Sequence, residues 1–378
     1  MIYLDNSSTT KQAKEVTEEM VRAFEEDFGN PSSLHELGRI SQNKINDVRK
    51  RIAQEIGNSE YDIFFTSGGT ESDNMAVFGA AEAKKREGKR IITTKIEHPA
   101  ILQPCKRLEK AGFDIVYLDV DEKGLPDLKQ YEEAFKSDVA LVSVMAVNNE
   151  IGTVLPIRDM ADMAHSKGAL FHTDAVQGFG KIGMKGCAAD FISISGHKIH
   201  GPKGVGVLAV KKEAKFAPYI LGGGQEKGMR SGTENVSGIA GLGKAVEMAY
   251  DGMEHIAQLK GKLLEGFKAE IPDIKVNGSE EDNIAVGSIL NISFMGTRGE
   301  VLLHTLEAEG IYVSTGSACS SNKKGKSHVL SAIGCTDREI ESAVRFSLSR
   351  YNKIEEIEET VEKTAAAVKR FRRLGSFR

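Results

Sequence analysis

At 378 residues with 40% hydrophobic side chains, the chain exceeds one average domain and can bury a sizeable core, so two lobes around a shared cleft are expected. Its 50 basic and 54 acidic side chains leave a net charge of −4, which argues against a nucleic-acid groove as the main feature. No apolar run approaches the length of a membrane span and Met1-Ile2-Tyr3-Leu4-Asp5 lacks signal-peptide character, so a soluble, cytoplasmic protein is expected.

From the N-terminus, Val16, Met20, Val21 and Phe24 mark one face of a helix, and Leu37, Ile40, Ile45, Val48, Ile52 and Ile56 mark a longer one. Apolar runs predict strands at 62–66, 90–94, 113–118, 139–147, 169–172, 190–194 and 204–210, with helical patterns between several of them. Strands interleaved with helices imply an α/β fold whose mainly parallel sheet is covered on both faces. After about residue 250 the pattern changes to a helix over 253–271, strands around 288–294, 311–314 and 344–348, and a charge-rich amphipathic helix from about Lys353. The expected division is a large domain over 14–250 and a smaller α+β domain formed by 1–13 with 251–378. The basic end, 370–378, reads as solvated.

Candidate chemistry falls at successive strand ends. Ser195-Gly196-His197-Lys198 leaves a buried strand through a tight polar turn, and a lysine there with Asp174 displaced beside it is what holds pyridoxal phosphate as a Schiff base. Asp174 facing a pyridine nitrogen would keep it protonated, and Gln177 reaches toward the ring oxygen. Thr66-Ser67-Gly68-Gly69-Thr70-Glu71-Ser72 joins a strand to a helix start, whose free N–H groups attract phosphate; taken alone it is an ordinary capped turn. His98, in Glu97-His98-Pro99, sits where open α/β sheets bind ligands and could stack on a ring and move protons. The amides of Asn148 and Asn149 could reach a phenolate, although an Asn-Asn pair also suits a plain turn.

Gly178-Phe179-Gly180-Lys181-Ile182-Gly183 matches the dinucleotide fingerprint literally, yet no helix pattern follows and no ribose-binding acid lies about 20 residues on, so it is taken as chance. His197 and His200 lack the thiol or carboxylate neighbours of a metal site. The four cysteines form no zinc or CxxC pattern; Cys105 and Cys187 read as buried filler, whereas Cys319 lies in a small, polar, lysine-containing stretch that reads as a mobile surface loop.

These motifs, with Tyr3-Leu4-Asp5-Asn6-Ser7-Ser8-Thr9-Thr10, Gly29-Asn30-Pro31-Ser32-Ser33, Arg230-Ser231-Gly232-Thr233 and Gly316-Ser317-Ala318-Cys319, resemble cysteine desulfurases of the NifS/IscS type from residue 3 to about residue 350. The resemblance implies a homodimeric fold-type I pyridoxal-phosphate enzyme. On it, Lys198 binds the cofactor covalently, His98 stacks and shuttles protons, Asp174 pairs with the pyridine nitrogen, and Asn149 and Gln177 address the ring oxygen. Gly69, Thr70, Ser195 and His197 hold the phosphate, with Thr233 from the partner subunit, while Asn30 and Arg345 grip the substrate carboxylate. Cys319 becomes the nucleophile that takes sulfur from L-cysteine, leaving L-alanine, and passes the persulfide to an acceptor protein for iron–sulfur cluster assembly or for tRNA or cofactor thiolation. Aminotransferases and selenocysteine lyases share Lys198 and Asp174 but do not need a thiol in such a loop.

Three departures from the family pattern stand out. Ser7-Ser8 replaces the usual Asn-Ala, Gly69 replaces a commoner alanine, and Lys323-Lys324-Gly325-Lys326 stands where acidic or neutral residues often occur, which implies an acceptor with an acidic patch.

Overall fold

The computed structural model describes residues 1–57, 60–136, 138–315 and 326–375. Seven strands form the larger sheet, in spatial order Tyr61–Thr66, Gly206–Lys211, Phe191–Ser195, Leu170–Asp174, Val139–Ser143, Arg90–Thr94 and Asp114–Leu118. Gly206–Lys211 runs antiparallel to both of its neighbours, and the other pairs are parallel. The central strands are buried along their whole length, as continuous apolar runs require when helices cover both faces.

The apolar run expected as a strand over 139–147 is shorter as a strand, Val139–Ser143. Beyond it the backbone still bonds to the neighbouring strand at single points, Val144 N to His172 O and Ala146 N to Asp174 O, before Asn148 to Gly152 closes a turn. Val144, Met145, Ala146 and Val147 are apolar because they are buried. Strand periodicity plays no part in it.

Three helices cover one side. Lys14–Glu25 and Glu36–Ile56 both pack on Val236–Glu247, whose glycines permit the approach: a Cβ on Gly241 would meet Met20 Cγ at 2.5 Å, and one on Gly243 would meet Val48 Cγ2 at 2.5 Å. The buried stripe of the first helix is Val16, Met20 and Ala23, so Val21 and Phe24 lie off it and are 48% and 63% exposed. Leu37 and Ile40, in the first turns of the second, are likewise outside the packed face.

A second sheet of three strands, Ala343–Ser347, Ile289–Phe294 and Ile274–Val276, is antiparallel throughout. Its own apolar cluster gathers Ile2 and Leu4 with residues from Ile256 to Phe371, including the mutually packed rings of Phe267, Phe294 and Phe346. The helices Met253–Glu270 and Ile354–Arg373 pack on each other beside it. The C-terminal end is not simply solvated: Arg372 donates to the backbone oxygens of Pro272, Asp273 and Met295. The N-terminal strand Ile2–Tyr3 pairs with Ile311–Tyr312, and the residues after it then cross to the large sheet. That crossing is what builds the site.

Candidate active site

A cavity of about 200 Å³ opens at the carboxyl ends of the parallel strands, bounded on one side by the N-terminal segment and Arg345. Gly69, Thr70, His98, Asn149, Asp174, Gln177, Ser195, His197, Lys198 and Arg345 all line it. Asn30 and Thr233 do not: both are exposed and lie away from the cavity of this chain. Cys319 lies outside the described residues.

Lys198 ends the short 3-10 turn Gly196–Lys198, which begins as the buried strand Phe191–Ser195 stops. Its Nζ donates to Ser7 O at 2.6 Å and Ser8 O at 2.7 Å. Asp174 closes the adjacent strand, 5% exposed, its Oδ1 accepting from Val176 N at 2.9 Å. Burial pushes its carboxyl above the ordinary range, against the pull of the Val176 N–H and of Lys198.

Two further acids sit behind these groups. Asp73 is 1% exposed, lines the cavity, and its Oδ1 has no hydrogen-bond partner; burial first, then the charge of Asp174, drives its carboxyl upward. Glu97 is fully buried, with Oε1 held by Thr94 Oγ1 at 2.7 Å and Met145 N at 3.0 Å, and with Oε2 unpartnered. Burial raises it to about 8. Burial with few donors is what drives both carboxyls upward.

His98 caps the helix Pro99–Lys110, and its Nδ1 accepts from Ala100 N at 3.1 Å. That bond assigns the proton to Nε2, the nitrogen left for a ligand. Burial, with Lys198 and His328 nearby, lowers His98 to about 4, so the ring is neutral at pH 7. His197 is held through Nδ1 at 3.1 Å from Thr9 Oγ1. The helix Gly69–Lys84 starts at Gly68 without any side-chain cap, which leaves its first N–H groups for an anion. A Cβ at position 69 would meet Val176 Cγ2 at 2.6 Å, so the alanine commoner at this position would require the Val176 side chain to shift. Glu71 braces the turn, accepting from Ser67 N at 2.9 Å and from Arg230 Nε at 2.7 Å.

Gln177 donates Nε2 to Ser7 O at 2.8 Å and accepts at Oε1 from Lys181 Nζ. Lys181, in the glycine motif taken as chance, is thus part of the site's support; burial and the charges of Lys198 and Arg345 lower it to about 7. No helix follows that motif. Ser327 Oγ donates to Glu150 Oε2 at 2.5 Å, and the His328 ring bonds Glu97 O at 2.9 Å, so the chain re-enters the described structure beside the site. Sequence reasoning missed Asp73 and Lys181. Each lies four residues after a predicted site residue, Gly69 and Gln177, a spacing that puts two residues of a helix or helical turn on one side.

Cys105, Cys187 and Cys335 are buried free thiols, and burial raises all three, Cys105 to about 12. Such thiols are poor nucleophiles. Among the described residues no group of three or more His, Cys, Asp and Glu could hold a metal, and no helix is long and apolar enough to cross a membrane.

A family model described as aminotransferase class-V matches residues 2–360. The chain is 43% identical over 379 residues to a Clostridium botulinum protein named cysteine desulfurase IscS, covering 99% of this chain and 96% of that one. It is also 43% identical over 380 residues to a Bacillus subtilis protein named putative cysteine desulfurase IscS 1, covering 98% and 99%. Among solved structures, one titled NifS-like protein superposes with a TM-score of 0.90 at 37% identity, covering 97% of this chain and 99% of that one.

Proposed function

The chain belongs to the class-V aminotransferase family and, within it, to the cysteine desulfurases of the NifS/IscS type, and from that premise we propose that it is a pyridoxal-phosphate enzyme converting L-cysteine to L-alanine. Its mostly parallel sheet flanked by helices is the fold-type I architecture. The observation that carries the reading is the convergence of Lys198, Asp174, His98 and Arg345 on one cavity.

The residues present suit the cofactor. Asp174 offers a buried carboxyl to a pyridine nitrogen, and Asp73, also on the cavity wall, adds a second buried acid beside it. The uncapped helix start at Gly69 and Thr70, with Ser195 and His197, offers donors to a phosphate, and Lys198 is placed to carry the carbonyl carbon. Gln177 and Asn149 are the donors for the ring oxygen. When bound, the cofactor supplies an electron sink for charge developing at the substrate Cα.

Arg345 orients the substrate carboxylate, a bidentate task that suits a guanidinium. Lys198, whose amine is held by two backbone carbonyls, takes the Cα proton. His98, neutral at pH 7, presents Nε2–H to the cavity, the position from which it would stack on the ring and hand on a proton. Cys319 attacks the substrate sulfur: the Cβ–S bond breaks with its electron pair going to carbon, an S–S bond forms on Cys319, and the carbon takes a proton. The sum is L-cysteine and one thiol giving L-alanine and one protein persulfide, with no external oxidant.

Further parts of the reading concern the assembly. Residues 14–250 form the cofactor-binding domain, and 1–13 with 251–378 form the domain bearing Cys319. The enzyme works as a cytoplasmic homodimer in which Thr233 of each chain completes the other's phosphate site and Asn30 assists Arg345. The persulfide passes to an acceptor for iron–sulfur assembly or thiolation, with Lys323, Lys324 and Lys326 facing an acidic patch. Charge reversal of these lysines should slow persulfide transfer, and unchanged transfer would refute that contact. The deciding assay is cysteine-dependent alanine formation by the holoenzyme, with Cys319→Ala expected to bind cysteine yet form no protein persulfide. Normal sulfide and alanine turnover by that variant would overturn the assignment.

A further inference from the structure

The glycine run Gly178-Phe179-Gly180-Lys181 has a use that its likeness to a nucleotide motif hides. Gly178 N and Phe179 N both bond Ala175 O, and Lys181 N and Ile182 N both bond Gly178 O, so the chain after Asp174 winds in turns that bring Lys181 back beside Gln177. Glycine permits the winding: Gly180 has φ +76°, and a Cβ there would meet Ile199 Cγ2 at 2.9 Å.

Gln177, 4% exposed, is held at both ends of its amide. Oε1 accepts from Lys181 Nζ, and Nε2 donates to Ser7 O at 2.8 Å. A lysine ammonium has no acceptor and a backbone oxygen has no donor, so these two partners fix which end of the amide is which. Ser7 O takes one Nε2 hydrogen, and the second is left for the cavity that Gln177 lines. Lys181 does not line that cavity; with Lys198 it borders a separate one of about 30 Å³. Its amine therefore bears on the site through Gln177. A cationic donor on Oε1 also draws electrons through the amide, which strengthens its N–H groups as donors. A flipped amide would instead turn an oxygen toward the ring oxygen of the cofactor, acceptor against acceptor.

We propose that Lys181 is a positioning residue: by donating to Gln177 Oε1 it orients and polarises the amide so that an N–H meets the ring oxygen of bound pyridoxal phosphate. The inference deepens the cofactor reading and rests on it.

The test is a double-mutant cycle on the holoenzyme with Lys181→Met and Gln177→Leu. The readout is the pH at the midpoint of the visible absorption change of the bound cofactor, where the nitrogen joining it to Lys198 loses its proton. An N–H on the ring oxygen draws away the negative charge that holds this proton, so losing the N–H raises the midpoint. Lys181→Met should raise it by about one pH unit when Gln177 is present and by under about 0.3 in the Gln177→Leu background. An equal shift in both backgrounds would mean that the lysine charge acts on the cofactor directly and would overturn the proposal, as would no shift in either. Lys181→Ala takes the same place in the cycle if Lys181→Met does not fold. Wild-type protein that shows no visible band after reconstitution with pyridoxal phosphate would instead sink the cofactor reading itself.

Discussion

Two sets of buried polar groups, one beside each sheet, are satisfied in opposite ways. In the three-stranded sheet, Asn277 is 1% exposed and fully partnered: Nδ2 donates to Asn291 Oδ1 and Ser293 Oγ, both at 2.8 Å, and Oδ1 accepts from Cys335 Sγ at 3.4 Å. At the carboxyl edge of the seven-stranded sheet, Asp73 Oδ1 and Glu97 Oε2 are equally buried and make no hydrogen bond, His172 Nε2 standing 3.6 Å from the former. Burying a polar group without a partner costs more than any hydrogen bond returns, so folding alone does not select the second arrangement. Arg345 refines the contrast, because it is carried on the smaller sheet, lines the cavity and keeps a buried Nε without a hydrogen bond.

The largest effect expected from this contrast is chemical. Lys198→Ala should lower cysteine-dependent alanine formation by about 10³-fold or more, since on the proposed function it removes the group that would carry the cofactor and move the proton. A loss below about tenfold would move the chemistry away from this edge of the sheet.

Next in size is the dependence of stability on pH. Glu97 is raised in the folded state to about 8 from an ordinary 4.5, so between those values the folded chain holds a proton that the unfolded chain has released. Stability should therefore fall as pH rises from 4.5 to 8. Glu97→Gln keeps an acceptor for Thr94 and Met145 and cannot ionise, so in the cofactor-free protein it should be more stable than wild type at pH 9 by up to about 5 kcal/mol, and little different at pH 4. Asp73 and Asp174, raised in the same direction, leave the variant a residual slope. Denaturant melts at the two pH values would show it, and parallel wild-type and variant curves would mean that Glu97 is not a strained buried acid.

What the sequence made legible was local. Each strand of the large sheet appears as an apolar run, and Gly69, His98, Asp174 and Lys198 stand within a few residues of the ends of such runs, so a reading confined to neighbours finds them. The three-residue strand Ile274–Val276 escaped that reading because it is too short to show a period. Asp73 reads as one more acid on a helix until tertiary packing buries it, and Arg345 acquires Asp5 and Ser8 from across more than 330 positions. The Lys181 contact to Gln177 was hidden for another reason: the glycines around it suggested a different motif. Thus the residues that gather on the cavity were readable, while those that hold them were not, because holding depends on pairs distant in the chain.

Two smaller changes, one on each sheet, sharpen the contrast by separating chemistry from folding. Asp174→Asn retains an oxygen for Val176 N and removes the charge that would face a pyridine nitrogen, so turnover should fall about 10²-fold while the cofactor-free fold is no less stable. Asn277→Ala should do the reverse. It strips donors from Asn291 and Ser293 and the acceptor from Cys335 inside a packed sheet, at a cost of about 2 kcal/mol in denaturant unfolding. Its turnover should stay within about twofold, because Asn277 lies outside the residues that line the cavity. If instead Asn277→Ala lost activity in proportion to Asp174→Asn, buried polar groups on the two sheets would be serving one purpose, and partner satisfaction would cease to distinguish scaffold from site.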